Sequence, residues 1–392
     1  MNNINVAKTA QKPFRTVQIG LGSRGIIHID GMLHNPEFFE IIGYCNRSEK
    51  NLRAAAERYR LSDDQLYSDA EQMLNRLHPD VMSFATMPHD RLELVRLAAK
   101  YQVKGLMFEK PVGISLKEAA DILEICNAAG IKAIVCHQHK YLASFLRLRQ
   151  VIESGALGKI YQIQVQCQQH ANQIATHYID YMLWAAQLAA AAEQKGAKAA
   201  AIAAVGHAHG RFYLSDSHPS PDYILGEVTF DNGLRGLVEC GYYAPQHLEH
   251  DNSFDHGSKA MEFYTDDRLT VYGETGYAWA ECNGRFAQFS SQTAGKIETK
   301  EYGTFFEAEQ FDAQDRYTRD FGLWLQGKLS EHPCNLKQAY EGYQILEAIY
   351  ISALENRRVD LPMKLKQNAD CLERFETVLP ETAYRKLPKA LN

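Results

Sequence analysis

The sequence lacks an apolar run of eighteen residues, a Cys-x-x-Cys pair and a large excess of either charge. Without the first there is no candidate membrane-spanning helix. The eight cysteines are scattered at 45, 126, 136, 167, 240, 282, 334 and 371, which argues against a disulfide framework. Several lie in apolar runs such as Ala133-Ile134-Val135-Cys136, so they are expected as reduced, buried thiols of a cytoplasmic protein. A net charge of −6 offers no basic surface for nucleic acid or an anionic membrane. The N-terminal stretch MNNINVAKTAQKPF is polar and carries no apolar signal core, so residues 1–13 read as a flexible tail.

What is present is 392 residues, 45% of them hydrophobic, enough for two domains with separate cores. They are organised around one stretch. The β-rich run Thr16-Val17-Gln18-Ile19 enters Gly20-Leu21-Gly22-Ser23-Arg24-Gly25, and a helix with Ile26, Ile27 and Ile29 leaves it. Gly20 permits a tight strand-to-helix turn, Gly22 lets the backbone approach a pyrophosphate, and Gly25 lets helix and strand pack closely. The helix start adds unpaired N–H groups and a positive dipole end. A dinucleotide site is expected here, with Gly20, Gly22, Ser23, Arg24 and Gly25 as its contacts.

From residue 14 to 137, strand-like and helix-like stretches alternate. Strands are expected at 40–45, 79–86, 103–108 and 131–136, and helices at 49–59, 90–102 and 115–129. Ser115 followed by Glu118 marks the start of the last helix as a capping box. This alternation implies a doubly wound, mostly parallel sheet with ligands at the carboxyl ends of its strands. After 137 the pattern changes. Residues 159–169 alternate polar and apolar, and Asp231-Asn232-Gly233 joins two strands as a hairpin. Further strands are expected near 260–265, 268–273 and 285–290, and long helices at 312–328 and 336–356. The alanine-rich stretch 185–204 reads as a helix end followed by a tightly packed strand. The fold class is therefore α/β: a doubly wound parallel domain over 14–137, then an α+β domain over 138–392 with a large, mostly antiparallel open sheet and C-terminal helices. An open sheet needs its apolar face covered, so a homodimer or homotetramer is expected.

Phe108-Glu109-Lys110-Pro111 follows the fifth strand, where a lysine ammonium would reach the cofactor crevice and stabilise an alkoxide or relay its proton. The proline would fix that turn. Together with the glycine turn and Thr176-His177-Tyr178-Ile179-Asp180-Tyr181-Met182-Leu183-Trp184, this resembles the Gfo/Idh/MocA family of sugar and inositol dehydrogenases. The likeness extends to the helix at 343–353 and to Val359-Asp360-Leu361-Pro362.

The resemblance implies an N-terminal Rossmann domain that binds NAD(P). It assigns Thr86 and Pro88 to the loop near the cofactor ribose, and Glu109, Lys110 and Pro111 to the motif beside the nicotinamide ribose and substrate hydroxyl. It makes Lys110 and His177 the catalytic pair, and Lys140, Gln173 and Asp180 substrate-binding residues. Two positions depart from the family pattern. Gln173 stands four residues before His177, where many members carry Asp, so His177 lacks the carboxylate that would orient it. At the end of the second strand, Asn46-Arg47-Ser48 replaces the Asp that usually binds the ribose hydroxyls. Asn46 removes a charge that would repel a 2′-phosphate, and Arg47 with Ser48 could bind one, which leans toward NADP.

His207, His209 and Arg211 on one strand, with polar loops at 215–222 and 242–250, suit a polyol ring. His247, His250 and His256 fit no common zinc spacing, so no metal is expected. The expected activity is hydride transfer between nicotinamide and a secondary alcohol or ketone of a sugar, glycoside or inositol. The rival readings are a redox-neutral glycosidase with tightly bound NAD and a non-catalytic cofactor-binding regulator.

Overall fold

The strands of the first sheet are short and mostly buried, with exposed residues such as Arg15 and Glu40 near their starts, as suits a parallel sheet. The strands are β1 (Phe14–Ile19), β2 (Phe39–Cys45), β3 (Leu66–Tyr67), β4 (Val81–Phe84), β5 (Gly105–Phe108) and β6 (Lys132–Val135). A computed structural model describes residues 12–168, 170–213, 219–241, 244, 267–303, 308–364 and 371–380. Residues 1–11 of the expected tail, the expected strand near 260–265, His247, His250 and His256 lie outside the described residues. So does most of the polar loops expected at 215–222 and 242–250.

The six strands run in parallel in the order β3-β2-β1-β4-β5-β6. The order reverses at β1, which has β2 on one side and β4 on the other, and ligands of such sheets bind at the carboxyl ends beside that switch. Helices α1 (Ser23–Leu33), α2 (Glu49–Tyr59), α3 (Ala70–Leu77), α4 (Arg91–Lys100) and α5 (Leu116–Ala129) form the crossovers. The capping at α5 is present in part: Glu118 N–H donates to Ser115 Oγ at 3.2 Å, while the Glu118 carboxylate accepts from Ile114 N–H.

The described chain divides into two units. The first runs to Glu109 and takes in Ile125–Ile134 and Gln314–His332; the second comprises Lys110–Glu124, Val135–Ala313 and the chain from Pro333. Most of α8 (Glu309–Leu325) thus belongs with the first sheet. Phe321 stacks on Phe39 at 6.0 Å, and Gly31 and Gly105 clear space for Thr318 and Leu325 of this helix.

In the second unit, α6 (Ala143–Glu153) precedes β7 (Ile160–Cys167), and α7 (Ala171–Glu193) follows it. The remaining strands are β8 (Ala201–Tyr213), β9 (Ser220–Phe230), β10 (Arg235–Gly241), β11 (Arg268–Gly273), β12 (Gly276–Glu281), β13 (Arg285–Phe289), β14 (Glu298–Glu301) and β15 (Val359–Asp360). They make a nine-stranded sheet in the order β14-β13-β12-β11-β7-β10-β9-β8-β15, in which β7 and β10 are parallel and the other pairs antiparallel.

Two helices, α7 and α9 (Leu336–Glu355), cover one face of this sheet. A Cβ at Gly206 or Gly226 would strike Ile349 of α9, and one at Gly236 would strike Met182 of α7. The opposite face carries Val205 and Leu225, 38% and 40% exposed. A short helix, α10 (Cys371–Val378), closes the described chain. All eight cysteines are buried and none is bonded to another. Among the described residues, no helix is long and apolar enough to cross a membrane.

Candidate functional site

The glycine turn takes its shape from contacts that leave no room for side chains at two of its three glycines. Gly20 has φ +83°, and a Cβ there would lie 2.4 Å from the Ala85 carbonyl oxygen. At Gly25 a Cβ would lie 2.0 Å from the Gly20 carbonyl oxygen, so α1 presses directly on the turn. Gly22 differs: a Cβ there would meet no protein atom within 4 Å. Protein packing therefore gives no reason for glycine at 22, whereas close approach of a phosphate to the backbone does. Gly22 is also the N-cap of α1, with no side-chain cap and no acidic residue in the first turn, which keeps the helix start electropositive. These residues fit a dinucleotide pyrophosphate.

Three further contacts hold the turn. Gln18 Nε2 donates to the carbonyls of Ile19 and Gly20, each at 3.0 Å. Gly20 N–H donates to the Cys45 carbonyl at 2.8 Å. Asn46 Oδ1 accepts from Leu21 N–H at 3.0 Å, so Asn46 ties the end of β2 to the turn. Ser48 caps α2, its Oγ accepting from Asn51 N–H. Arg47 is exposed and pairs with Asp90 at 3.0 Å. Asp90 ends the single 3-10 turn Pro88–Asp90, which follows β4 and Thr86. Glu109 is buried; its Oε1 lies 2.7 Å from Arg24 Nε and 3.3 Å from His28 Nε2. Burial alone would raise this carboxyl, but the Arg24 guanidinium and the His28 ring hold it well below the usual carboxylate range. Arg24, from the turn itself, is thereby braced by the residue that precedes Lys110.

In the second unit, Lys110 Nζ donates to the Gln173 carbonyl at 3.0 Å, in the first turn of α7. The Lys110–Pro111 bond is cis. His177 lies one turn further along α7, only 7% exposed, with Tyr181 Oη 3.1 Å from its Nδ1. The His139 ring stacks on it at 5.3 Å with an interplanar angle of 5°, and the His137 ring lies tilted at 5.0 Å.

Asp180 is fully buried and faces elsewhere. It pairs with Lys140, meets His137 Nδ1 at 2.9 Å and accepts from Gln338 Nε2 at 2.9 Å. Lys140 is as deeply buried, donating also to the Pro333 carbonyl at 2.6 Å. Burial would raise the Asp180 carboxyl, but Lys140 and His137 bring it down to about 2. Both charges of the Lys140–Asp180 pair thus bind protein groups.

Residues 14–137 match the model of an oxidoreductase family, NAD-binding Rossmann fold, that bears the name Gfo/Idh/MocA. The first third of the chain is thus similar to the NAD-binding part of that family. Over 161 residues it is 29% identical to the D-apiose dehydrogenase of Paraburkholderia graminis, a stretch covering 40% of each protein. Over 118 residues it is 29% identical to the D-xylose dehydrogenase of Paenarthrobacter nicotinovorans, 30% of each. The matched stretch thus spans less than half of either relative. A crystal structure of an oxidoreductase from Agrobacterium radiobacter, in complex with NAD+, L-tartaric acid and magnesium, shares the fold. Its TM-score is 0.68 at 16% identity, covering 88% of this chain and 98% of that one.

The structure gathers the expected residues into two groups. Gly20 to Gly25, Asn46, Arg47, Ser48, Thr86, Pro88 and Glu109 belong to the first unit; Lys110, Pro111, Lys140, Gln173, His177 and Asp180 belong to the second. His207 and His209 alternate along β8 with opposite parity to Gly206, on the sheet face away from α9, while Arg211 lies where the register of β8 against β9 shifts. Four residues were missed by sequence reasoning: Gln18, His28, His139 and Tyr181. Tyr181 had a signal, since it stands one helical turn beyond His177 within the recognised motif.

Proposed function

We propose that the chain is an NAD(P)-dependent dehydrogenase acting on a secondary alcohol of a sugar, glycoside or inositol, with pentoses the first substrates to try. What carries this reading is the open space at Gly22 in a turn that otherwise excludes side chains, combined with a lysine, Lys110, bonded to the first turn of α7 and His177 on the next turn of that helix. The apiose and xylose dehydrogenases named above support the substrate class.

When bound, the dinucleotide supplies the hydride chemistry. Gly20, Gly22 and Gly25, with Ser23 and Arg24, would hold its pyrophosphate against the start of α1. Asn46, Arg47, Ser48, Thr86 and Pro88 would line its ribose, and Glu109 keeps Arg24 in place. Lys110, oriented through the Gln173 carbonyl, would stabilise the substrate alkoxide. His177, whose Nδ1 faces Tyr181, would exchange the hydroxyl proton at Nε2. Lys140 and Asp180 would support the substrate from behind, by fixing the turn and helix that carry His139 and His177.

An NADP preference would require Arg47 to exchange Asp90 for a 2′-phosphate, so both cofactors are candidates. A cytoplasmic homodimer or homotetramer fits the half-exposed Val205 and Leu225. The test is Lys110→Ala. Dinucleotide binding followed by fluorescence should persist, while turnover with a responsive sugar falls about 100-fold or more, the scale of lost acid–base catalysis. Unchanged turnover would contradict the assigned mechanism.

A further inference from the structure

Positions 173, 177 and 181 lie on one face of α7 at intervals of a turn, so partners for the His177 ring can come from the turn before or the turn after. The observed one comes from the turn after: Tyr181 Oη, 3.1 Å from His177 Nδ1. Tyr181 is fully enclosed. It packs edge-on against Tyr178 at 5.1 Å and Phe145 at 5.5 Å, which leaves the phenol little freedom to turn. Burial holds that phenol well above its ordinary pKa, so it stays a neutral O–H.

The other titratable groups around the ring each have a described partner of their own. His139, stacked on His177, has its Nδ1 3.2 Å from Cys282 Sγ, and that thiol meets Tyr178 Oη at 2.8 Å. His137 faces Asp180, whose carboxylate also binds Lys140 and Gln338. Lys110 bonds to the backbone carbonyl of Gln173. The Asp180 carboxylate, then, is directed to His137 and Lys140, and the group at His177 Nδ1 is a phenol.

We propose that Tyr181 is the positioning residue of His177. A carboxylate at this place would hold a proton on Nδ1 and stabilise the imidazolium. A phenol does neither by charge. It accepts from Nδ1–H in the tautomer whose Nε2 can take a proton, and donates to bare Nδ1 in the tautomer whose Nε2–H can give one. The same contact therefore fixes the ring in both neutral tautomers, which suits alcohol oxidation and carbonyl reduction alike. The catalytic part of this proposal rests on the dehydrogenase reading above; the tautomer-holding part does not.

The test uses the full-length protein labelled with 15N-histidine, with His177 assigned from a His177→Gln spectrum, in the wild type and in Tyr181→Phe. The phenylalanine keeps the ring packing and removes only the hydroxyl. Loss of the hydroxyl should move the His177 Nδ1 resonance away from its hydrogen-bonded position, toward that of a ring nitrogen without this partner. With a turned-over sugar, kcat should fall about tenfold while KM stays within about twofold, the split expected when only orientation of the proton carrier is lost. Adding Gln173→Asp to Tyr181→Phe should restore most of kcat. It should also move the acid limb of the pH–rate profile to higher pH, because a carboxylate now stabilises the cation.

Unmoved His177 resonances in a folded Tyr181→Phe protein would overturn the proposal. The wild-type spectrum is a check that needs no variant, since a His177 Nδ1 without a hydrogen-bonded shift contradicts it outright. If no sugar is turned over at all, the dehydrogenase reading fails, and the resonances still decide the role of Tyr181.

Discussion

Gly22 and Gly25 sit three residues apart in one turn and are glycine for different reasons. At Gly25 the Gly20 carbonyl occupies the space, 2.0 Å from where a Cβ would stand. Gly25→Ala should therefore destabilise the protein by about 1–3 kcal/mol, as overpacking does. At Gly22 the backbone has φ −79° and no protein atom lies within reach of a Cβ. Gly22→Ala should change stability by no more than about 0.5 kcal/mol. It should nevertheless weaken dinucleotide binding about tenfold or more, because the methyl stands where the phosphates approach. Thermal unfolding and cofactor titration of the two variants separate these effects. Equal binding by wild type and Gly22→Ala would remove the argument for this turn as the pyrophosphate site. The three glycines were legible in the sequence because their spacing alone carries the signature. The bonds of Gln18 and Glu109 were not, since a buried glutamine and a buried carboxylate look like any others until their partners Gly20, Arg24 and His28 are placed.

At the scale of elements, local pattern served well where an element is decided locally. Helix 49–59 begins and ends where the periodicity puts it, with Ser48 as cap, and the hairpin turns at Asn232-Gly233, where Gly233 has φ +87°. Nothing in the sequence reading anticipated β3, α3, β12 or β14. The two residues of β3 are a strand because β2 lies alongside, and the exposed β14 because it pairs with β13. The destination of α8 was equally hidden: helical spacing shows an apolar face, and only the packing of Phe321 on Phe39 says which sheet receives it.

Helix α7 carries the sharpest prediction of this kind. Asp180 bonds it to the turn at His137 and Lys140 and to α9 through Gln338. Asp180→Asn strands a buried lysine charge, which should cost about 3–5 kcal/mol in urea unfolding. The carboxyl pKa is depressed to about 2 in the folded state. Its contribution is therefore complete above the ordinary carboxyl range and is lost as pH falls from about 4 toward 2. The variant should lack that step in its acid-unfolding profile. A wild-type and Asp180→Asn pair with the same urea midpoint would show the ion pair to be dispensable.

For the whole molecule, the doubly wound parallel sheet and the mostly antiparallel second sheet were both readable from alternation and period, whereas the reversal of strand order at β1 was not. The membership of Lys110–Glu124 and Gln314–His332 was not, since only contacts far apart in sequence define a unit. The peptide bond between Glu109 and Lys110 joins the residue that braces the glycine turn to the residue proposed to stabilise the alkoxide. The central claim is that these groups serve one redox reaction on a sugar. The measurement that tests it most directly is absorbance at 340 nm on mixing the purified chain with NAD+ or NADP+ and D-apiose, D-xylose or inositol. The account predicts a steady rise with at least one pair, proportional to enzyme and sustained over many turnovers. A band that rises only to the level of the enzyme, or no band with any pair while the dinucleotide is bound, would contradict it.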